Sequence, residues 1–382
     1  MKQLRVLIAT YDLSLRGGTQ MYVGDLANGL LRRGHTPIVY STQLGDIARQ
    51  IRERTIAVTD DLSTIGMAPD LIHGNHSLET VTALLRFPNV PAVQTIHGNL
   101  GFLSAAPKFR RVLRYIPVDY TCYERIIFEH GIPEEKVRVI LNGIDLERFK
   151  PLKNLPIRPR KALVFSNYTE NGDYVRMIRK ACRRQGLALD VMGIEANGFA
   201  KPEQILADYE IVFAKARCAL EALAVGNAVI LCDHHGLGQM VTSAEVNGLR
   251  RLNFGHRTLS NKLSPDLIAE EIAKYDANDA KVVSQSIRAT CDVKTMVDNL
   301  LAEYGEVLAE FRSSSPPALE VEHREAAAYL QWLSKEIHSS VSAKAALKTA
   351  LSRIPIIKSP PLSRLVMKLA WKLTTFNENA KR

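Results

Sequence analysis

The sequence predicts an α/β protein of two parallel-sheet domains with a basic helical extension. Three observations carry this: β-rich and helical runs alternate twice along the chain, a proline-rich segment separates the two alternations, and a helical zone follows them. In the first alternation LRVLIAT, TPIVYS, DLIHGN, PAVQTIH and VRVILNG are candidate strands, rich in Val and Ile and bounded by turn residues. Between the first two lies TQMYVGDLANGLLRRG, where Met21, Tyr22, Leu26, Leu30 and Leu31 recur at helical spacing and Gly34 supplies the stop. Strands alternating with helices imply a parallel sheet covered on both faces.

The segment FKPLKNLPIRPRK, with Pro151, Pro156 and Pro159, breaks the pattern and reads as a linker. After it come ALVFSNY, a helix rich in Arg and Lys, LALDVMG, YEIVFAK, the helix CALEALAVG and AVILCD. From Ser264 to about Phe311 the sequence is largely helical, with Ser264 as cap and Pro265 as first helical residue. A helical, basic zone begins at Ser313–Pro317. The expected domains are 1–152, 153–312 and an extension, 313–382.

At 382 residues, 46% hydrophobic and 24% charged, the chain has the balance of a soluble globular protein able to bury two cores. No apolar run is long enough to span a bilayer. The opening MKQLRVLIAT is too brief in its apolar part and too close to a turn for a signal peptide, so it reads as a buried first strand. Five scattered cysteines (Cys122, Cys182, Cys218, Cys232, Cys291) lack metal-ligand or redox spacing and point to a reducing, cytoplasmic setting. The net charge of +10 is spread along the chain, nucleic-acid signatures are absent and aromatics are 7%, so nucleic acid is not the expected partner. A basic surface equally suits phosphorylated small molecules or an anionic membrane.

Arg16-Gly17-Gly18-Thr19 sits between the first strand and its helix. Two glycines there let the backbone approach a ligand, and a helix N-terminus offers N–H groups to an anion. The same pair also reads as a tight βα turn, and no spaced third glycine completes a dinucleotide fingerprint. Asn142-Gly143 is a turn that closes the first domain. Asp60-Asp61 reads as a cap rather than a spaced metal-binding pair, so neither metal nor cofactor is expected. No Ser-His-Asp arrangement, Walker loop or cysteine nucleophile competes. Near the C-terminus Leu362, Leu365, Val366, Leu369, Leu373 and Phe376 share a helical face beside Arg364, Lys368 and Lys372. This stretch, 362–376, reads either as an interfacial helix on anionic lipid or as a terminal helix docked on the protein, the second favoured.

HGIPEEKVRVILNGIDLERFKP closely resembles the end of the N-terminal domain in GT-B fold glycosyltransferases of family 4. RGGTQMYVGDLANGLLRRGH resembles that family's donor loop and first helix, DLIHGNHS and VQTIHGN its His-bearing strand ends, CALEALAVGNAVILCD its nucleotide-binding helix and following strand, and AEVNGL the loop beyond. The matching segments span about residues 1 to 310. The resemblance implies two Rossmann-like domains, a nucleotide-sugar donor in the cleft between them and an unidentified glycosyl acceptor on the side of the first.

Glu221 matches the second of two family glutamates separated by seven residues, which implies that its carboxylate accepts hydrogen bonds from the donor's ribose hydroxyls. As a helix glutamate it also reads as a solvated surface residue. The first glutamate's position is Phe213, a departure that leaves the donor sugar open. The Arg and Lys that the family places after the first strand of its second domain are also missing around Asn167. Lys215 and Arg217, just before the Glu221 helix, are candidate replacements at the diphosphate, or surface cations. His97 ends a candidate strand, where open α/β sheets bind ligands, and the resemblance sets it near the donor sugar and acceptor hydroxyl. His73 and His76 hold a similar position with weaker claims; each of the three also reads as structural. The expected site is therefore His97 as the catalytic candidate, with Gly17, Gly18, Asn142, Asn167, Lys215, Arg217 and Glu221 binding the donor. The expected activity is sugar transfer with retention. A nucleotide-sugar epimerase on the same fold and a non-catalytic nucleotide-sugar-binding protein are the alternatives.

Overall fold

The computed structural model describes residues 2–98, 101–151, 154–166, 172–193, 201–315 and 317–352. The stretch 362–376 and Asn167 lie outside them.

The first sheet has six parallel strands: β1 (Arg5–Leu13), β2 (Thr36–Leu44), β3 (Ala57–Thr59), β4 (Leu71–Gly74), β5 (Ala92–Ile96) and β6 (Val112–Pro117), in the order β3-β2-β1-β4-β5-β6. This is the doubly wound order, with its switch point between β1 and β4. Strand β1 is buried along Val6–Ala9, as expected of a buried first strand. The helix α1 (Gly18–Arg32) follows it and buries Met21, Tyr22, Val23, Leu26 and Leu30. Asp61 caps a short 3₁₀ turn by accepting from the Ser63 N–H at 2.8 Å.

One expectation in this domain needs correction. VRVILNG is not a strand of the sheet. It follows β6 through two backbone bonds, Arg138 N–H to Tyr115 O (3.0 Å) and Ile140 N–H to Pro117 O (3.2 Å), and forms one isolated bridge. The sixth strand is instead Val112–Pro117, whose Arg114 breaks the apolar run yet is buried against Glu303 of a distant helix at 3.2 Å.

The second sheet contains β7 (Lys161–Phe165), β8 (Ala188–Met192), β9 (Ile211–Ala214), β10 (Ala228–Asp233) and β11 (Gly236–Met240), ordered β11-β10-β9-β7-β8. All expected strands are present. The sheet is not wholly parallel, because β11 turns back antiparallel along β10. Among the described residues no strand lies beyond β8. Covering helices include α2 (Gly172–Arg184), α3 (Ala216–Val225), α4 (Pro265–Ala273) and α5 (Ala277–Thr290). Ser264 caps α4 and Pro265 opens it.

The boundary at 312 also moves. Helix α6 (Val293–Ser313) returns to the first domain, where Met296, Val297, Leu300, Tyr304 and Val307 join the core made by Val6, Ile8, Leu26 and Leu30. Gly143 marks this crossing, since a Cβ there would lie 2.8 Å from Val293 Cα and 2.9 Å from its backbone N. The extension then begins with α7 (Leu319–Ser352), which docks on the first domain through Tyr329, Leu333 and, less buried, Trp332. Arg111 secures it. This fully buried guanidinium pairs with Glu322 of α7 and donates to the carbonyls of Leu84 (2.6 Å), Phe87 (3.1 Å) and Val90 (2.7 Å). Such satisfaction offsets the cost of burying its charge. No helix among the described residues is long and apolar enough to cross a membrane.

Candidate active site

A cleft of about 450 Å³ lies between the two domains. Gly17, Gly18, His97 and Asn142 line it from the first domain, and Lys215 and Arg217 from the second, together with Thr19, Gln20, Phe165, Ser166, Ala216, Cys218 and Asn253. Six expected site residues thus meet in one space. Its walls are built at strand ends: α1 starts at Gly18 after β1, His97 follows β5, and α3 starts at Ala216 after β9. The N-termini of α1 and α3 both border the cleft, so two sets of first-turn N–H groups and two positive dipole ends converge there.

Glu221 lies beneath this surface rather than on it. Its side chain is 1% exposed, and both carboxylate oxygens accept from Arg16 Nη2 at 3.2 Å. Arg217 Nε donates to Glu221 Oε1 at 2.9 Å, and Arg217 Nη2 to Asp25 Oδ2 at 2.6 Å. Burial opposes the Arg217 charge, but Asp25 and Glu221 outweigh it and hold the guanidinium firmly protonated. Glu221 is therefore no solvated helix residue; it is the centre of an ion cluster joining both domains.

Lys215 pairs with the buried Asp233 at the end of β10. Burial alone would raise the Asp233 carboxyl; the Lys215 ammonium and the His235 N–H outweigh it and keep it below its usual range. Asp233, His234 and His235 are the one group among the described residues with metal-ligand proximity, their donor atoms lying within 4.8 Å of one another. Sequence patterns assigned these three adjacent residues no role. The Lys215 ammonium takes the place a cation would take at Asp233, so the cluster fits a divalent ion only if that pair opens.

His97 is oriented by Asn75. The Asn75 amide donates from Nδ2 to Ala9 O at 3.2 Å, which turns its Oδ1 toward His97 Nε2 at 2.8 Å. Nε2 therefore carries the proton and Nδ1 keeps its lone pair. Burial, with His76 and His73 nearby, lowers the His97 pKa well below its usual value and keeps the ring neutral. His73 is structural, bonded to Tyr304 Oη (2.6 Å) and Thr95 Oγ1 (2.9 Å). His76 accepts from Tyr11 N–H at 3.1 Å.

Sequence reasoning missed Arg16, Ser166 and Asn253. Ser166 directly precedes Asn167 and borders the cleft. Asn253 (φ 53°), Phe254 (φ 50°) and Ala216 (φ 51°) are left-handed non-glycine residues, and Ala216 N–H bonds Phe254 O at 2.8 Å. Asn adopts that conformation readily; Ala and Phe do so only under strain, and such strain concentrates at functional sites. Cys218 is no nucleophile, since burial pushes its thiol up to about 12.

Residues 16–148 match the sequence profile of Glycosyltransferase Family 4. Among solved structures, a glycosyltransferase from Rickettsia africae ESF-5 is 13% identical with a TM-score of 0.57, covering 82% of this chain and 100% of that one. Anabaena Alr3699/HepE, in complex with UDP-glucose, is 16% identical with a TM-score of 0.57, covering 80% and 100%. A Listeria monocytogenes protein assigned as a UDP-N-acetylglucosamine 2-epimerase is 12% identical with a TM-score of 0.51, covering 82% and 98%. No curated protein sequence matches the chain. At these identities the structural likeness speaks for the fold, and the profile match speaks for the first domain. Residues 16–148 are thus similar to glycosyltransferase family 4, and the chain as a whole shares the two-domain fold of these GT-B proteins.

Proposed function

We propose that this protein transfers a sugar, with retention, from a nucleotide-sugar bound in the interdomain cleft to an acceptor held by the first domain. The observation that carries the proposal is the convergence of two helix N-termini, Gly17-Gly18 and Lys215 on one cleft. A diphosphate needs such a setting, because a dianion leaving water must meet preorganised donors and positive charge. Alr3699/HepE, which shares the fold, binds UDP-glucose, and this supports a nucleotide-sugar as ligand.

In this reading the first-turn N–H groups of α1 and α3, other than the Ala216 N–H that Phe254 O takes, face the diphosphate and Lys215 adds a charge. His97 offers its Nδ1 lone pair to a sugar or acceptor hydroxyl. Holding the two substrates in line and stabilising the departing diphosphate supply most of the acceleration. Protein cations and helix dipoles take the role a divalent metal plays elsewhere, so EDTA leaves activity intact.

Epimerisation is the second reading, favoured by the fold shared with the Listeria protein. Incubation with radiolabelled UDP-, GDP- and ADP-sugars, with and without EDTA, separates the two. Release of nucleoside diphosphate supports transfer, and an interconverted donor supports epimerisation. Binding without turnover would leave only a nucleotide-sugar-binding protein.

A further inference from the structure

A second cavity, of about 420 Å³, lies where α7 docks on the first domain. Tyr329 and Trp332 of α7 form one side, with ring centroids 5.6 Å apart and planes tilted by 41°. Ala106, Pro107 and Lys108 form another, and Arg125, Glu129 and Glu325 complete the rim. The volume falls within the range of about 300–1,000 Å³ usual for small-ligand sites.

Hydrogen bonds and an ion pair brace the cavity. Tyr329 Oη donates to Ser77 Oγ at 3.2 Å, and Tyr115 Oη to Pro107 O at 2.7 Å. Glu325 accepts from the Arg110 N–H at 3.1 Å, and the buried Arg111–Glu322 pair fixes the start of α7. Its rim is close to electrically balanced, with Arg125 against Glu129 at 3.4 Å and Arg110 against Glu325 at 3.6 Å. That balance does not suit a strongly charged ligand. Aromatic faces beside carboxylate acceptors suit a ring with an apolar C–H face and hydroxyls around its edge.

The cavity is also one loop away from the donor cleft. Arg125, which lines it, donates to Gly98 O at 3.0 Å and to Gly101 O at 2.9 Å. Gly98 directly follows His97, which lines the cleft. Arg125 therefore ties the rim of this cavity to the segment that carries the catalytic candidate.

We propose that this cavity binds a pyranose ring of the acceptor, so that α7 supplies an acceptor-saccharide subsite. The proposal rests on the transfer reading above, but its test does not depend on turnover. Saturation-transfer NMR and calorimetry of the full chain would use N-acetylglucosamine, galactose and maltotriose at millimolar concentration. At least one should bind, Trp332→Ala should weaken it by about tenfold or more, and Trp332→Phe should restore it. Calorimetry with UDP, GDP and ADP on the same samples should be unchanged by either substitution, which also reports that the variants are folded. Saccharide binding that survives Trp332→Ala, or its absence for all three probes in the unmodified protein, overturns the subsite. Absence of binding for all three nucleotides in the unmodified protein would instead count against the donor reading.

Discussion

Arg16, in the loop before α1, donates to both carboxylate oxygens of Glu221 in α3, at 3.2 Å each. The two residues belong to different domains and lie 205 positions apart. With Arg217 and Asp25 they alternate in charge across the interface, and all four are largely buried. The ion cluster therefore fixes the domains relative to one another directly beneath the cleft floor.

Glu221→Gln should consequently destabilise the folded chain by about 3 kcal/mol, because two buried guanidiniums lose their shared counter-charge. Arg16→Ala should cost less, since Arg217 remains on the carboxylate. Combined, the two should fall short of additive by about 1–2 kcal/mol, as expected of partners in contact. Urea titrations of the four proteins measure this, and strict additivity would remove the tie between domains. The same variants report on the ribose. A diol reaches Glu221 only where Arg16 gives way, so Arg16→Ala should bind nucleoside diphosphate at least as tightly as the native chain. Glu221→Gln should weaken that binding by about 1–3 kcal/mol; equal losses in both variants would place the ribose elsewhere.

The parts of this architecture that local patterning encodes were legible. Gly17, Gly18, His97, Asn142, Lys215 and Arg217 sit at strand or segment ends that apolar runs and turn residues mark, and the parallel topology brings those ends together. Distant satisfaction of polar groups was not legible. Arg114 interrupts β6 in sequence, yet it bonds Glu303 and Glu310 of α6 at 3.2 and 3.1 Å. The helical period of α6 is plain, but only packing shows that Val297 and Leu300 belong to the first domain's core. Strand β11 hides in GLGQM because its Gly236 and Gly238 lie against the backbone of Asn261 and Thr258, where a Cβ would stand at 2.9 and 2.6 Å. Asn253 gives no motif signal at all; its place at the cleft comes from backbone geometry.

Acid should weaken the first domain through its histidines. Burial lowers His73 to about 3 and His76 to about 4, and His97 well below its usual value. Each is neutral when folded and takes up a proton near pH 6.5 once unfolded. Their contribution is thus complete above pH 6.5 and is lost as pH falls toward the folded values. Each costs up to about 1.4 kcal/mol per pH unit in that window. Urea midpoints should therefore drop between pH 6.5 and 4.5. His73→Gln, though less stable at pH 7, should show a shallower decline; an unchanged slope would mean that His73 is not held neutral.

Lys215 provides the sharpest test of the cleft. It sits at the N-cap of α3, adding its charge to the positive end of that helix, and the buried Asp233 holds it there. The Arg and Lys that the family places near Asn167 are missing, so a diphosphate in this cleft has few other cations to meet. Lys215→Ala should lower turnover by on the order of a hundredfold, the scale of one lost transition-state donor. It should weaken binding of nucleoside diphosphate far more than of the bare nucleoside, because sugar and base contacts survive. Arg217→Ala should behave differently and unfold more readily, since its guanidinium is committed to Asp25 and Glu221. Arg179→Ala and Lys180→Ala, on α2, are the controls and should do little. Lys215→Ala with an unchanged preference for diphosphate over nucleoside, or controls as costly as the cleft variant, would assign the phosphate charge to another part of the protein.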